Sequence, residues 1–294
     1  MSDFFSALVS VDFPFIRNAL FAGLLSSVLF GTIGAVVTVR RITSLAGAIS
    51  HSVLGGIGLA LFISSRLPAT VGETAANGSL AVHGFPPLIG AFIFAILSAI
   101  IIGLVSLKAK QREDTVINAI WAIGMSLGIL FMAKTPGYTD PTVYLFGNIL
   151  LISYRDLVLL AIADCIVIFL AWRFYPQIEA SSFDEEFARV RGVPVQAVFL
   201  ILLGITAVAI VLLQTFVGIV MVIAMLVLPS GCAGSVSRSL GGMMFLSCVF
   251  CAVFSVCGLA ASWIFDLPPG AATVIIAGIV FLGFSAVRVI FRRN

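Results

Sequence analysis

Nine apolar runs, each about as long as a membrane is thick, dominate this sequence. Their length matches helices of about 20 residues that cross a hydrocarbon core, and they are too continuous for the alternating strands of a membrane barrel. Because only helices and closed barrels satisfy every backbone hydrogen bond in lipid, the runs predict a bundle of membrane-spanning helices. The runs are 15–39, 45–64, 85–107, 115–134, 157–175, 196–213, 215–235, 240–263 and 271–290.

The composition agrees with a chain whose surroundings are mostly lipid. Hydrophobic residues make up 61% of the 294 residues and charged residues only 10%, whereas soluble domains carry about 25% charged residues. Nine spans and their short links use up this length, so we predict an all-α integral membrane protein in which residues 1–294 form a single transmembrane domain. A net charge of +3 is too small to indicate a nucleic-acid partner.

Lysine and arginine are distributed unevenly between the two ends of the predicted spans. If the N-terminus lies outside, twelve of them fall on the inner side and four on the outer side. Because positive residues favour the cytoplasmic side, the sequence predicts an N-out, C-in orientation, which requires an odd number of spans. The inner set is Arg40, Arg41, Lys108, Lys110, Arg112, Arg173, Arg189, Arg191, Arg238, Arg288, Arg292 and Arg293, and the outer set is Arg17, Arg66, Lys134 and Arg155.

Two features interrupt this regular pattern. Gln214 alone separates the sixth and seventh runs, so we predict that the break between these two spans lies there. The segment 142–154 (TVYLFGNILLISY) is apolar but only 13 residues long, which is too short to span the membrane and too apolar for an ordinary loop. We expect it to form an interfacial or re-entrant piece on the outer side.

The longest link on the predicted inner side is 176–195. It predicts a short amphipathic helix that Ser182 caps and that ends at Gly192 and Pro194. Such a helix suits a groove on a soluble partner, whose movement it could pass to the flanking spans; a solvated connector is the alternative. The first turn carries Asp184, Glu185 and Glu186, as the helix dipole favours, and Phe183, Phe187 and Val190 form an apolar stripe.

Two ionisable residues lie inside predicted spans, where polar groups are costly and usually line a pathway. His51 shares its helix face with small residues that let helices pack closely. It is therefore either a packed, neutral imidazole or a ligand beside a translocation path, and neutral imidazole suits zinc, iron and, less well, manganese. Asp164 lies in the fifth run, offset from His51 by about 10 Å along the membrane normal. If both bind a moving ion, they form two stations on one route.

The sequence gives little support to catalysis by this chain. It lacks the G-x-x-x-x-G-K-[ST] motif of ATPases and the G-x-S-x-G turn of serine hydrolases. Ser50 and His51 are adjacent, and neighbours along a helix point to different faces. We therefore predict that the chain is not an enzyme. Five cysteines in apolar or small-residue runs are expected to be free thiols: Cys165, Cys232, Cys248, Cys251 and Cys257.

Six stretches, in the same order along nearly the whole chain, resemble the zinc, manganese and iron uptake permeases of the ABC-3 family. SLAGAISHSVLGGIGLA, which contains His51, is similar to the family's G-D-A-L-S-H-A-x-L-P-G segment, but Gly47 replaces the usual aspartate and Gly55 the usual proline. The missing carboxylate removes one possible metal ligand. The other stretches are REDTVINAIWAIGMSLGI at 112–129, YLFGNIL at 144–150, DEEFARVRGVP at 184–194, VGIVMVIAMLVLPSGCAGSV at 217–236 and DLPPG at 266–270.

This resemblance implies the permease subunit of an ATP-binding-cassette importer that moves a divalent transition metal (zinc, manganese or iron) across the bacterial inner membrane into the cytoplasm. It implies a homodimer, separate cytoplasmic ATPase subunits, an extracytoplasmic solute-binding protein and no permanently bound cofactor. His51 and Asp164 are then the candidates for transient metal ligands. The segment that matches DEEFARVRGVP corresponds to the coupling helix on the ATPase, whose functional positions are Asp184, Glu186, Ala188 and Gly192.

Two other kinds of transporter fit the same apolar pattern. An importer of the same mechanical class for a metal chelate, such as a siderophore or cobalamin, would need a wider path than a bare ion. An ion-coupled secondary transporter would show an internal repeat with matched broken helices, and the sequence contains no convincing repeat.

Overall fold

The structure is a computed structural model and describes residues 14–66, 85–108, 113–136, 142–147, 149 and 152–291. These residues form twelve α-helices and no strand, which confirms the all-α class. The helices are α1 (Pro14–Val39), α2 (Thr43–Arg66), α3 (Pro87–Lys108), α4 (Glu113–Lys134), α5 (Thr142–Phe146), α6 (Tyr154–Arg173), α7 (Tyr175–Phe183), α8 (Glu185–Val190), α9 (Val195–Val217), α10 (Ile219–Val236), α11 (Leu240–Phe265) and α12 (Pro269–Phe291).

The long helices reproduce the predicted spans. Within the described ranges, eight helices are long and apolar enough to cross a membrane on their own. A ninth span arises if α6 and α7 are taken together, with a bend of 69° between them. Asp156 and Asp164 interrupt the apolar sequence of α6. The bundle of about nine spans is confirmed, and the N-out, C-in orientation stays a prediction.

The break between α9 and α10 lies at Gly218, not at Gln214. Gln214 is buried inside α9, which continues to Val217 before Gly218 adopts a φ of 81°. The prediction was wrong because glutamine is a good helix former, whereas a positive φ is open chiefly to glycine. A polar residue in a long apolar run was therefore a weaker sign of a helix end than the glycine that follows it.

The short helix α5 ends against this break. A Cβ atom on Gly147 would overlap the backbone of Gly218, and one on Gly270 would lie 2.9 Å from the carbonyl oxygen of Phe146. Three of the six family-like stretches, at 144–150, 217–236 and 266–270, therefore meet where only glycine fits. Residues 142–147 do not span but fold onto the bundle, while residues 148, 150 and 151 of the same segment lie outside the described part.

Helix α2 is buried from Leu45 to Gly58, because small residues bring its neighbours into backbone contact. A Cβ atom on Gly56 would overlap the carbonyl oxygen of Gly90 on α3, and one on Gly58 would lie 2.5 Å from the carbonyl oxygen of Gly128 on α4. Close approach of this kind is how small residues stabilise helix contacts in membranes. The small residues near His51 therefore pack against both α3 and α4.

Gly56→Ala is expected to lower the apparent melting temperature of the detergent-solubilised protein. The added methyl group meets backbone rather than a movable side chain, and overpacking of this kind costs about 1–3 kcal/mol. Gly204→Ala is the matched control, since a Cβ atom at that position meets nothing within 4 Å. Equal melting temperatures for the two variants would contradict the tight contact between α2 and α3.

Candidate functional site

The polar link folds into a short helix, α8, whose two ends are fixed by side-chain and backbone hydrogen bonds. Asp184 is the N-cap, and its Oδ1 accepts a hydrogen bond of 2.9 Å from the backbone N–H of Phe187. At the other end Gly192 has a φ of 79°, and the N–H groups of Gly192 and Val193 donate to the carbonyls of Arg189 and Ala188. This pattern of a left-handed glycine with two backward bonds terminates the helix at Gly192, as predicted.

Ser182 does not cap this helix, which corrects the sequence-based assignment. Its hydroxyl donates to the carbonyl of Ile178 at 2.6 Å, inside the last turn of α7. A serine hydroxyl bonded to the carbonyl four residues earlier is compatible with a continuing helix. Helix α7 therefore extends to Phe183, and the cap falls on Asp184, which combines an oxygen acceptor with an extended backbone.

The predicted apolar stripe of α8 points away from the bundle. Ala188 is fully buried and attaches the helix to the protein. Glu186 and Phe187 are exposed, and Val190 is 87% exposed. Exposed apolar residues next to an acid form a surface of mixed character, which is typical of a site that binds another protein.

Glu185 joins α8 to the turn between α1 and α2. Nη2 of Arg40 lies 3.2 Å from Oε1 of Glu185, and Oε2 of the same carboxylate lies 3.7 Å from Arg189. These are the two ion pairs of the described residues, and both use Glu185. The pKa of the Arg40 guanidinium is lowered by burial, and Glu185 offsets part of that decrease. The guanidinium stays charged at neutral pH because its ordinary pKa lies far above 7.

The sequence alone identifies Arg40 only as one positive charge on the predicted inner side. The pair with Glu185 joins residues 145 positions apart, so no local pattern reveals it. The available signal was modest: a basic residue directly after α1, where the helix dipole favours a cation.

His51 is buried between α2 and α4. Its ring stacks on the Trp121 ring with 4.2 Å between centroids and an angle of 24°, and Nδ1 lies 2.9 Å from the carbonyl oxygen of Gly47. A carbonyl oxygen only accepts, so in the neutral imidazole Nδ1 carries the hydrogen and Nε2 keeps its lone pair. The indole also covers Gly47, where a Cβ atom would lie 3.4 Å from Trp121, an ordinary van der Waals contact.

Asp164 occupies a different helix contact, between α6 and α1. The residue is only 5% exposed and its carboxylate faces the backbone of Leu29 on α1. Neither carboxylate oxygen forms a hydrogen bond of ordinary geometry with a described residue. An unpaired carboxylate is costly inside a membrane unless it is neutralised or binds a cation. The structure thus places His51 and Asp164 in separate contacts, and no three His, Cys, Asp or Glu side chains of the described part come together as a metal site.

Comparison with known proteins gives a consistent family relationship. A sequence profile of the ABC 3 transport family matches residues 12–288. A probable metal transport system membrane protein of Chlamydia muridarum is 33% identical, with 94% of this chain and 90% of that protein covered. The manganese transport system membrane protein MntC of Listeria monocytogenes is 32% identical, with coverage of 92% and 90%.

A solved structure supports the same relationship at the level of the fold. PsaBC from Streptococcus pneumoniae, in complex with Fab, superposes on this chain with a TM-score of 0.80 and 29% identity. The similarity covers 96% of this chain and 94% of the other. The shared fold therefore covers nearly the whole of both chains.

Proposed function

This chain belongs to the ABC 3 transport family, and we propose that it is the membrane-spanning permease subunit of an ATP-driven importer for a divalent transition metal ion. The observation that carries the proposal is α8, a capped helix on a bundle of membrane helices that presents an acid and apolar residues outward. Helices of this kind fit a groove on a soluble partner. The similarity to proteins named for metal and manganese transport supplies the class of cargo.

The partner at α8 is a cytoplasmic ATPase subunit, because the chain itself has no nucleotide-binding motif. In this proposal Asp184 and Gly192 set the ends of the docking helix, Ala188 packs it onto the bundle, and Glu186 contacts the ATPase. ATP binding moves α8 and thereby reopens the spans on the other side of the membrane. Two copies of this single-domain permease form a homodimer in the bacterial inner membrane and receive metal from an extracytoplasmic binding protein.

His51 and Asp164 are the proposed transient ligands for zinc, manganese or iron. The lone pair of His51 Nε2 is a ligand for such ions, and the two unpartnered oxygens of Asp164 are a second, harder donor set. Both donors are sparse, which suits a transporter, since conduction requires binding weak enough for release. No permanently bound cofactor is part of this proposal.

Cells that lack this chain are expected to contain less of one transition metal than cells in which it is restored. A multi-element profile in metal-limited medium measures this difference and identifies the cargo. A fall in cobalamin or in chelated iron, with free-metal uptake unchanged, would favour the chelate importer instead. An unchanged profile, in a strain whose other metal uptake routes have been removed, would contradict the metal-import proposal.

A further inference from the structure

One residue connects the proposed docking helix to the membrane helix that carries His51. The Arg40 side chain is only 3% exposed, and its guanidinium lies between Glu185 of α8 and the Phe199 ring at the start of α9. The distance from the guanidinium carbon to the centroid of that ring is 5.5 Å, in the range of a cation–π contact. Arg40 therefore contacts both α8 and α9, the two helices that follow α7.

Helix α8 needs such external contacts to hold its position. It has six residues, and isolated helices shorter than about 12 residues are marginal in water. Its own contribution to anchoring is the buried Ala188. A cavity of about 280 Å³ lies beside the Arg40–Glu185 pair, between the ends of α3, α8 and α9. Packing alone therefore does not fix this side of the helix.

The other end of the connection is rigid. The backbone N–H of Arg40 donates to Val36 at 2.9 Å, and that of Ile42 donates to Val37 at 3.0 Å, so the turn is tied to the last turn of α1. Arg41 adopts a φ of 58°, and α2 begins two residues later at Thr43. His51 follows eight residues into α2, about 12 Å along the helix.

We propose that Arg40 is a positioning residue that couples α8 to α2: by holding Glu185 it passes the movement of a bound ATPase to the helix that bears His51. This inference rests on the proposed permease function. The hydrogen-bonded turn converts a displacement of α8 into a displacement of the start of α2. Without the guanidinium, α8 still presents Glu186 to the ATPase, but its movement no longer reaches α2 through this turn.

The test compares Arg40→Gln with wild type, each purified with its ATPase and placed in vesicles that also contain the solute-binding protein. Metal uptake and ATP hydrolysis are measured together for zinc, manganese and iron. Arg40→Gln should still bind the ATPase and hydrolyse ATP, while metal moved per ATP falls by about 5–150-fold, the range of typical coupling energies. Arg40→Lys, which keeps a charge for Glu185, should recover part of the loss.

Arg41→Gln is the matched control, since it removes an exposed charge from the same turn, and it should transport like wild type. Glu185→Gln removes the same ion pair by changing its half-exposed member. It therefore tests the inference if Arg40→Gln does not fold. Wild-type transport per ATP in both Arg40→Gln and Glu185→Gln would overturn the inference, as would an equal loss in Arg41→Gln.

Amide hydrogen exchange separates this inference from the proposed function. If wild-type vesicles moved no metal, the permease proposal would fail, but the anchoring of α8 by the Arg40–Glu185 pair could still be tested. Faster exchange in residues 185–193 of Arg40→Gln than of Arg41→Gln supports the anchoring role. Unchanged exchange there refutes it, whatever the cargo is.

Discussion

Glu186→Arg is expected to abolish binding of the ATPase subunit while the chain still inserts and folds. Glu186 is exposed on α8 and makes no ion pair among the described residues, so the fold loses little when it is replaced. An arginine in the first turn opposes the helix dipole by only about 0.3–1 kcal/mol. At an interface, however, a reversed charge facing its former partner costs several kcal/mol. Co-purification of the ATPase with the affinity-tagged permease measures the effect.

Asp114→Arg is the control for this charge reversal. Asp114 is also an exposed acid in the first turn of a helix, α4, and the orientation prediction places it on the same side of the membrane. If α8 is the docking site, Asp114→Arg should retain the ATPase. Normal co-purification with Glu186→Arg would count against the coupling assignment, and loss with both variants would point to a general effect of charge on that side.

The spans were predictable because lipid imposes one simple condition on every segment that crosses it. A segment of about 20 apolar residues is recognisable from its own sequence, and α2, α3 and α11 correspond closely to three of the runs. The boundary between α9 and α10 was misplaced because Gln214, a polar residue, lies inside a helix there. Between α9 and α10 the chain stays apolar, and the backbone dihedral of Gly218 sets the boundary.

The contacts between helices were much less predictable. Hydropathy indicates that a segment lies in lipid, but it does not indicate which other segment lies beside it. The small residues near His51 correctly predicted close packing, but the stacking partner Trp121 lies 70 positions further along the chain, on α4. The ion pair between Arg40 and Glu185 was unpredictable for the same reason. Side chains from distant segments meet only in the folded bundle.

His51→Phe is expected to abolish metal import while the helix bundle remains folded. Phenylalanine keeps an aromatic ring to stack on Trp121, but it has no nitrogen lone pair for a metal ion. The hydrogen bond to Gly47 is lost as well, at a modest cost because that carbonyl also lies within the hydrogen-bonded backbone of α2. Uptake of zinc, manganese and iron into vesicles that contain the complete transporter measures the effect.

The choice of phenylalanine separates the two roles that the sequence left open for His51. If the imidazole serves only to fill the contact between α2 and α4, a ring of similar shape should preserve transport. If it is a ligand, import should fall to the background of empty vesicles even though the purified protein melts normally. Ser50→Ala is the control, since it changes a buried neighbour on another helix face whose hydroxyl has no hydrogen-bond partner among the described residues. Wild-type uptake by His51→Phe would assign His51 to packing and leave Asp164 as the remaining intramembrane ligand candidate.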